Sequence, residues 1–378
     1  MSDRVVIAAG GTGGHLFPAQ ALAQELGRRG WRVWLMTDER ANRYGAKFPC
    51  EEIIEIPSAT ISPRMPLKAL AGVGRLAMGL ARAWRRLGVL DPAAVVGFGG
   101  YPTLPPLVAA MLRGIPTCIH EQNAVIGRAN RMLAGRVGLI ASTFETPLRL
   151  PEAARTRLRV TGNPVRDAVA ARAGTPYRTP RPGEPFNLLV FGGSQGARVF
   201  SDIVPAAISG LAAADKARLT ITQQCRDEDM ARVRRAYEEA GVAAEIAPFF
   251  ADLPERIAAA HLAICRSGAS TLSELGVIGR PALVVPLPHS LEGDQLHNAR
   301  AFETAGGGWL IEQDDLTPAR LGSWLGETMA DPDRLAAAAA GAVSFGRPDA
   351  VVRLADLIES LTPGRATGRA GTDFEVAE

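Results

Sequence analysis

The chain has 378 residues, 47% of them hydrophobic, with 42 basic against 39 acidic side chains and a formal net charge of +3. That length favours two domains, the apolar content fills real cores and excludes disorder throughout, and the charge balance leaves no overall footprint for nucleic acid. Cys50, Cys118, Cys225 and Cys265 form no CxxC pair, so neither a disulfide framework nor a zinc site is suggested and a reducing cytosol fits best.

Residues 1–4 enter a β-like run without the pattern of an export signal. Strands are predicted over residues 5–8 and 33–36 with a helix over 19–29 between them, then a strand over 95–97, a helix over 107–113 and a strand over 117–120. Between these, residues 67–90 carry Lys68, Arg75, Arg82, Arg85 and Arg86 and no acid, with Leu76, Leu80, Trp84 and Leu87 on the opposite helical face. Two readings stand for that helix, one packed on its sheet with a solvated basic face and one touching anionic headgroups; the apolar stripe is expected to face the core. No apolar run of about 18 residues marks a membrane span, so any membrane contact is expected to be peripheral.

Residues 174–185 hold four prolines and two glycines, a composition that breaks helix and ladder alike and suits a linker. The βα pattern then restarts, with strands at 186–191, 219–222, 262–265 and 283–285 and helices at 197–211, 227–240 and 270–278. The predicted organisation is a first α/β domain over 1–163, a second over 164–346, a closing helix over 347–361 and a tail over 363–378 expected to be disordered. Asp331-Pro332 reads as an N-cap followed by Pro at the first helical position.

Each half opens with a strand running into glycines and then a helix, and open parallel sheets bind ligands at the carboxyl ends of their strands. In Gly10-Gly11-Thr12-Gly13-Gly14-His15 the glycines let backbone N–H groups approach an anion. A tight turn without ligand is the bland alternative; the segment lacks the third glycine of the dinucleotide fingerprint and the Lys of a P-loop. His15, at a helix N-terminus, is either a base held neutral by the positive potential or a packing histidine. Gly192-Gly193-Ser194-Gln195-Gly196-Ala197 repeats the device with a hydroxyl, so two loops facing one cleft suggest a nucleoside diphosphate. In the run from Cys265 to Glu274, small residues follow a strand end, and Glu274 is either a ribose-hydroxyl acceptor or a first-turn acid.

Together these motifs resemble the MurG family, the N-acetylglucosaminyl transferases of bacterial peptidoglycan synthesis. The likeness also takes in Phe17-Pro18, the run Gly97 to Tyr101, His120-Glu121-Gln122-Asn123, Gly162 to Arg166, and Asp294-Gln295 with Asn298-Ala299. It implies the GT-B fold, two Rossmann-like α/β domains with parallel sheets facing across a cleft, and no cofactor or metal. It implies inverting transfer of N-acetylglucosamine from UDP to carbon 4 of N-acetylmuramyl-pentapeptide on pyrophosphoryl-undecaprenol, the step from lipid I to lipid II. By position, donor contacts would be Thr12, Gly13 and Gly14, Asn123 at the sugar, Arg166 and Ser194 on nucleotide and phosphates, and Phe250 at the uracil. Ala269, Ser270, Thr271, Leu272, Ser273 and Glu274 would hold phosphate and ribose, and Gln295 the N-acetylglucosamine. The resemblance further implies an anionic membrane surface as partner, the cytoplasmic face of the bacterial inner membrane as location, and proteins of cell-wall synthesis and division as partners.

For the base that takes the acceptor proton, His15 is the first candidate and Glu121 the reserve. Two departures from the family pattern are Thr222-Gln223-Gln224-Cys225, where many relatives carry a His-Gln-Ser-Gly type of sequence, and the longer stretch Ser290 to Gly293. Asp227 to Asp229 and Asp331 to Asp333 match an Asp-x-Asp spacing and read as helix-start acids. Rival readings are a serine hydrolase built on the G-x-S-x-G at Ser194 with His261, His289 or His297, a nucleotide-binding module without catalysis, and a GT-B transferase with another lipid acceptor.

Overall fold

In the computed structural model the described residues are 2–39, 48–59, 66–193 and 196–362. Ser194 and the tail expected over 363–378 lie outside them.

Among the described residues the first sheet has seven parallel strands: β1 (Arg4–Ala8), β2 (Arg32–Thr37), β3 (Glu52–Glu55), β4 (Ala94–Gly97), β5 (Thr117–Glu121), β6 (Leu139–Ser142) and β7 (Leu158–Val160). Their spatial order is β3-β2-β1-β4-β5-β6-β7. The second sheet holds six: β8 (Phe186–Phe191), β9 (Leu219–Gln224), β10 (Ala243–Ala247), β11 (Leu262–Cys265), β12 (Ala282–Val284) and β13 (Gly308–Leu310), in the order β10-β9-β8-β11-β12-β13. Helices cover both faces, so the central strands are buried on both sides and read as near-continuous apolar runs; Val5, Val6, Ile7 and Ala8 of β1 are all inaccessible to solvent.

The strand order reverses between β1 and β4 in the first sheet and between β8 and β11 in the second. The loop after each of these strands therefore opens onto a crevice. After β1 and β4 the two loops touch: Gly10 N–H donates to the Gly99 carbonyl at 3.0 Å. A Cβ on Gly100, whose φ is +79°, would lie 3.2 Å from the Gly10 Cα. After β8 the chain turns so tightly that a Cβ on Gly192 would fall 2.3 Å from the Ala197 nitrogen.

The last described helix, Ala350–Ser360, packs against the first domain. Leu354, Ala355, Leu357 and Ile358 join the core beneath helix Gly13–Arg28. Arg29 anchors the join, reaching Asp356 at 2.6 Å and Glu359 at 2.7 Å, and the Trp31 indole N–H donates to Glu359. The Pro-rich linker is fastened to the second domain, its Thr175 and Pro176 carbonyls accepting from the buried Arg280 guanidinium. Asp331 caps helix Pro332–Phe345, its carboxylate accepting from Arg334 N–H at 2.9 Å.

Helix Pro66–Leu90 lays Leu80 and Leu87 on the core, but Trp84 departs from the expected buried stripe. Ala83, one residue earlier, takes the inward position and is fully buried. Trp84 is 39% exposed, and the Arg113 guanidinium stacked 4.2 Å above its ring holds it at the surface by a cation–π contact. Among the described residues no helix is long and apolar enough to cross a membrane.

Candidate active site in the cleft

A cavity of about 1190 Å³ lies between the two domains, walled by both switch-point loops. Gly13 and Gly14 contribute from the first domain; Arg166, Gly192, Gly193, Phe250, Ala269, Ser270, Thr271, Glu274 and Gln295 contribute from the segment beyond it. Thr12, His15, Glu121, Asn123, Leu272 and Ser273 are not part of this wall.

Two helix N-termini enter the cavity. Helix Gly13–Arg28 carries no side-chain cap, since the hydroxyl of its N-cap residue Thr12 is turned to His15 Nδ1. Helix Ala269–Ile278 follows Gly268, which has no side chain to cap it. Unsatisfied N–H donors and the helix dipole at such ends attract anions. The Ser270 hydroxyl on the second helix is buried and has no hydrogen-bond partner, a cost that a ligand oxygen would relieve.

Glu274 sits one turn further on, almost fully buried, and Arg166 Nη2 donates to its Oε1 at 3.1 Å. Burial raises the carboxyl pKa, and the Arg166 charge and hydrogen bond oppose that shift. Arg166 in turn lies 4.5 Å over the Phe17 ring of the first domain, and its Nε is buried without a partner. Phe250 is buried under the Arg256 guanidinium at 4.2 Å, while the neighbouring Phe249 is exposed at the cavity mouth.

Leu272 and Ser273 face away from the cavity. Leu272 is packed in the second domain's core, and the Ser273 hydroxyl donates to the Ala269 carbonyl while accepting from Asn163. Gln295 lines the wall, with its Oε1 accepting from Leu287 N–H at 3.0 Å and its carbonyl from the Ser267 hydroxyl.

His15 Nδ1 is 2.9 Å from the Thr12 hydroxyl, and its ring packs beside Gly99. Glu121 is engaged on both oxygens. Oε1 accepts from Asn123 N–H and Nδ2, and Oε2 accepts from Gly127 N–H and Asn130 Nδ2, at 2.9 to 3.3 Å. Burial raises its pKa, with the same donors opposing. A carboxylate committed in this way shapes the loop that follows β5 and is not presented to a substrate hydroxyl. Asn123 is turned toward the other domain, its Oδ1 accepting from Asn298 Nδ2 at 3.0 Å.

Two residues of the site had no role assigned from the sequence. Gln224 ends β9 and braces the second glycine loop, its Oε1 accepting from Gly192 N–H and its Nε2 donating to the Gly193 carbonyl, both at 2.9 Å. A lone amide at a strand end beside a glycine loop was the available signal. Asn298, fully buried, joins the domains: its Oδ1 accepts from Ala124 N–H at 2.8 Å and its Nδ2 donates to the Ser267 carbonyl. Of the histidines named for a hydrolase, His261 lies far from the second glycine loop. His261 bonds to Asn187 at the start of β8, roughly 17 Å along the strand from Gly192 at its end.

Two doubly wound parallel sheets facing across a cleft, with uncapped helix N-termini on both walls, form the GT-B architecture found in glycosyltransferases. Residues 5–141 match the glycosyltransferase family 28 N-terminal domain, and residues 187–354 match the family 28 C-terminal domain. The chain is 54% identical over 374 residues to the UDP-N-acetylglucosamine–N-acetylmuramyl-(pentapeptide) pyrophosphoryl-undecaprenol N-acetylglucosamine transferase of Mesorhizobium japonicum, spanning 98% of this chain and 97% of that one. It is 52% identical over 368 residues to the enzyme of the same name from Sinorhizobium fredii, spanning 97% of each. The crystal structure of Acinetobacter baumannii MurG superimposes with a TM-score of 0.76 at 29% identity, covering 94% of this chain and 99% of that one. The chain belongs to this family of N-acetylglucosamine transferases.

Proposed function

We propose that this protein transfers N-acetylglucosamine from its UDP ester to the C4 hydroxyl of the N-acetylmuramyl-pentapeptide of lipid I, with inversion at the anomeric carbon, forming lipid II. The observation that carries this reading is identity above half, over nearly the whole chain, with transferases named for that reaction.

The cleft supplies what the chemistry requires. Departure of UDP places negative charge on its terminal phosphate, and preorganised N–H donors at that point act without reorganisation. The first turns of helices Gly13–Arg28 and Ala269–Ile278 and the Ser270 hydroxyl supply them, joined in this reading by Ser194. Glu274 accepts from the ribose hydroxyls, Arg166 holds that carboxylate in place and counters the phosphates, Phe250 presents backbone to the uracil, and Gln295 reaches the sugar. Asn123 positions the sugar end through the loop that Glu121 shapes.

His15 is the base in this reading, and Glu121, with four donors on its oxygens, is a loop organiser. In this reading His15 Nδ1–H donates to the Thr12 hydroxyl, 2.9 Å away, which leaves the Nε2 lone pair to take the acceptor proton. Inversion follows from in-line attack by the C4 hydroxyl on the face opposite UDP.

The acceptor is lipid-borne, and the first domain offers a surface suited to a bilayer. Val73, Met78, Trp84 and Val89 are exposed on helix Pro66–Leu90 beside Arg75, Arg82 and Arg85, and Leu112 is exposed on the adjoining helix Leu104–Leu112. Apolar side chains rimmed by arginines suit a peripheral site on anionic lipid. The cytoplasmic face of the inner membrane, contact with division and cell-wall proteins, and a part in cell shape belong to the same reading.

The test is transfer of labelled N-acetylglucosamine from UDP to a short-chain lipid I analogue by the purified protein. Labelled disaccharide product is expected. Intact UDP binding without product would point instead to a transferase of this fold with another acceptor.

A further inference from the structure

The stretch Ser290 to Gly293 carries an acid that crosses the cleft. Glu292 precedes helix Asp294–Thr304 of the second domain, and its side chain is only 12% exposed. Around its carboxylate converge three arginines of the first domain. Arg128 Nε lies at 2.5 Å, Arg131 Nη1 at 3.7 Å, and Arg149 Nη1 is in direct contact.

Both ends of the closest pair sit in backbone conformations that side chains disfavour. Glu292 has φ +61° and Arg149 has φ +63°. Left-handed backbone at two non-glycine residues persists where surrounding contacts over-determine it. Each residue lies in a turn closed by a backbone bond, Leu150 N–H to the Pro147 carbonyl at 3.3 Å and Gly293 N–H to the Ser290 carbonyl at 2.9 Å, so the two charged side chains leave fixed turns and meet across the cleft.

The cluster is wired to the reaction centre on both sides. Arg128 begins helix Arg128–Leu133 immediately after Gly127, whose N–H is held by Glu121. Glu292 lies three residues before Gln295 on the cavity wall and six before Asn298, which clasps Asn123 and Ala124 across the cleft.

We infer that Glu292 is a latch: its carboxylate, docked among Arg128, Arg131 and Arg149 of the opposite domain, holds the cleft closed and sets Gln295 in register with the loop after β5. It is a positioning residue, acting through helix Asp294–Thr304. The kinetic consequence rests on the transferase reading; the conformational one does not.

The experiment compares wild type, Glu292→Gln, Arg149→Gln and the double variant in small-angle X-ray scattering at low and high salt, and in steady-state transfer. Glu292→Gln keeps the shape of the side chain and removes the charge. The closed-to-open ratio should fall roughly tenfold, seen as a larger radius of gyration at low salt that high salt reproduces in wild type. For transfer, kcat and the UDP affinity measured by calorimetry should fall together, each by no more than that factor, because the donor site draws on both domains and is complete only when the cleft is closed. The double variant should be no worse than Glu292→Gln alone, because the two act through each other. Arg149→Gln alone should show a smaller opening, since two arginines remain, and it keeps the test alive if Glu292→Gln folds poorly. An unchanged radius of gyration and salt response in both single variants would overturn the latch. Because scattering needs no substrate, that result would count against the latch whether or not wild type transfers N-acetylglucosamine.

Discussion

Acid should loosen the first domain through His120. The ring is fully buried at the end of β5; Gln122 Nε2 donates to its Nδ1 at 3.0 Å, so Nε2 carries the proton and donates to the Gly162 carbonyl at 2.9 Å. Burial pushes the imidazole pKa from 6.5 down to about 4, against a smaller raising effect of the Gly162 contact. The unfolded chain therefore takes up a proton as pH falls through 6.5, and the folded chain does not until about 4. Between those values the unfolded state holds more protons, so stability falls as pH falls, and above 6.5 the group contributes no pH dependence. The whole window, 6.5 minus 4, amounts to about 3 kcal/mol, of which about 2 kcal/mol is already lost at pH 5.

Glu121 and Glu274 act in the opposite sense, because burial raises their pKa values and the folded protein keeps protons that the unfolded chain would release. A variant that shares both carboxylates cancels them. His120→Gln can still donate to Gly162 but does not titrate. It should be less stable than wild type near pH 7.5 by about 1 to 2 kcal/mol, for the lost Gln122 contact. That deficit should shrink by about 2 kcal/mol at pH 5. Urea unfolding followed by tryptophan fluorescence reads the difference, with Trp31 and Trp34 buried in the first domain. A deficit that stays constant from pH 7.5 to 5 would refute the buried neutral imidazole.

His15→Ala should cut turnover roughly 100-fold or more with little change in UDP affinity, since a base acts only in the transition state; an equal loss of donor binding would make His15 a positioning residue. Glu274→Gln should raise the KM for UDP-N-acetylglucosamine about tenfold and slow chemistry less, because it weakens the ribose contact and leaves Arg166 with a neutral partner. Ser270→Ala removes a buried hydroxyl that has no partner, so thermal stability should hold or rise while donor KM rises several-fold; a fall in stability with unchanged KM would place the hydroxyl outside the phosphate site. Binding to vesicles should need anionic lipid and weaken with added salt, whereas salt-insensitive binding to neutral vesicles would sink the electrostatic docking of helix Pro66–Leu90.

The central strands and the glycine loops were legible in sequence because their causes are local. A strand buried on both faces must be apolar throughout, and a turn that leaves no room for a Cβ must be glycine, so 186–191 and 262–265 coincide with β8 and β11. Edge strands were not legible: β3 is mostly exposed and β10 has no buried residue, so no burial pattern marks Glu52–Glu55 or Ala243–Ala247. The first helix begins at Gly13, six residues before the predicted start. Glycines that read as loop form its first turn in spite of their low helix propensity, and they line the cavity there. Of the site residues, those facing the cavity from a strand end or a helix start could be placed from order alone. Leu272 and Ser273 could not be separated from Ser270 and Thr271 without the helix's rotation. Asn298 could not be assigned, since its partners lie 174 and 175 residues away.

These long-range partners suggest why the cleft is built from groups that are already spoken for. Arg166 touches Phe17 of one domain and Glu274 of the other, Asn163 reaches Ser273, and Asn298 reaches Asn123 and Ala124. Each is a polar contact between the domains at the edge of the cavity, and each is neutral in sign or paired in charge, so closing the cleft strands no buried charge. Asn163 Oδ1 is left without a partner in the seam itself, while the unpartnered groups at the cavity wall are the Ser270 hydroxyl and the Arg166 Nε, beside two helix starts without side-chain caps. A ligand with anionic and hydroxyl oxygens meets those groups without breaking the seam, and a sugar nucleotide carries both. Arg166 links both features: the same side chain that holds Glu274, the carboxylate proposed for the ribose, also stacks on Phe17 of the other domain, so the proposed donor site and the contact between the domains depend on one residue.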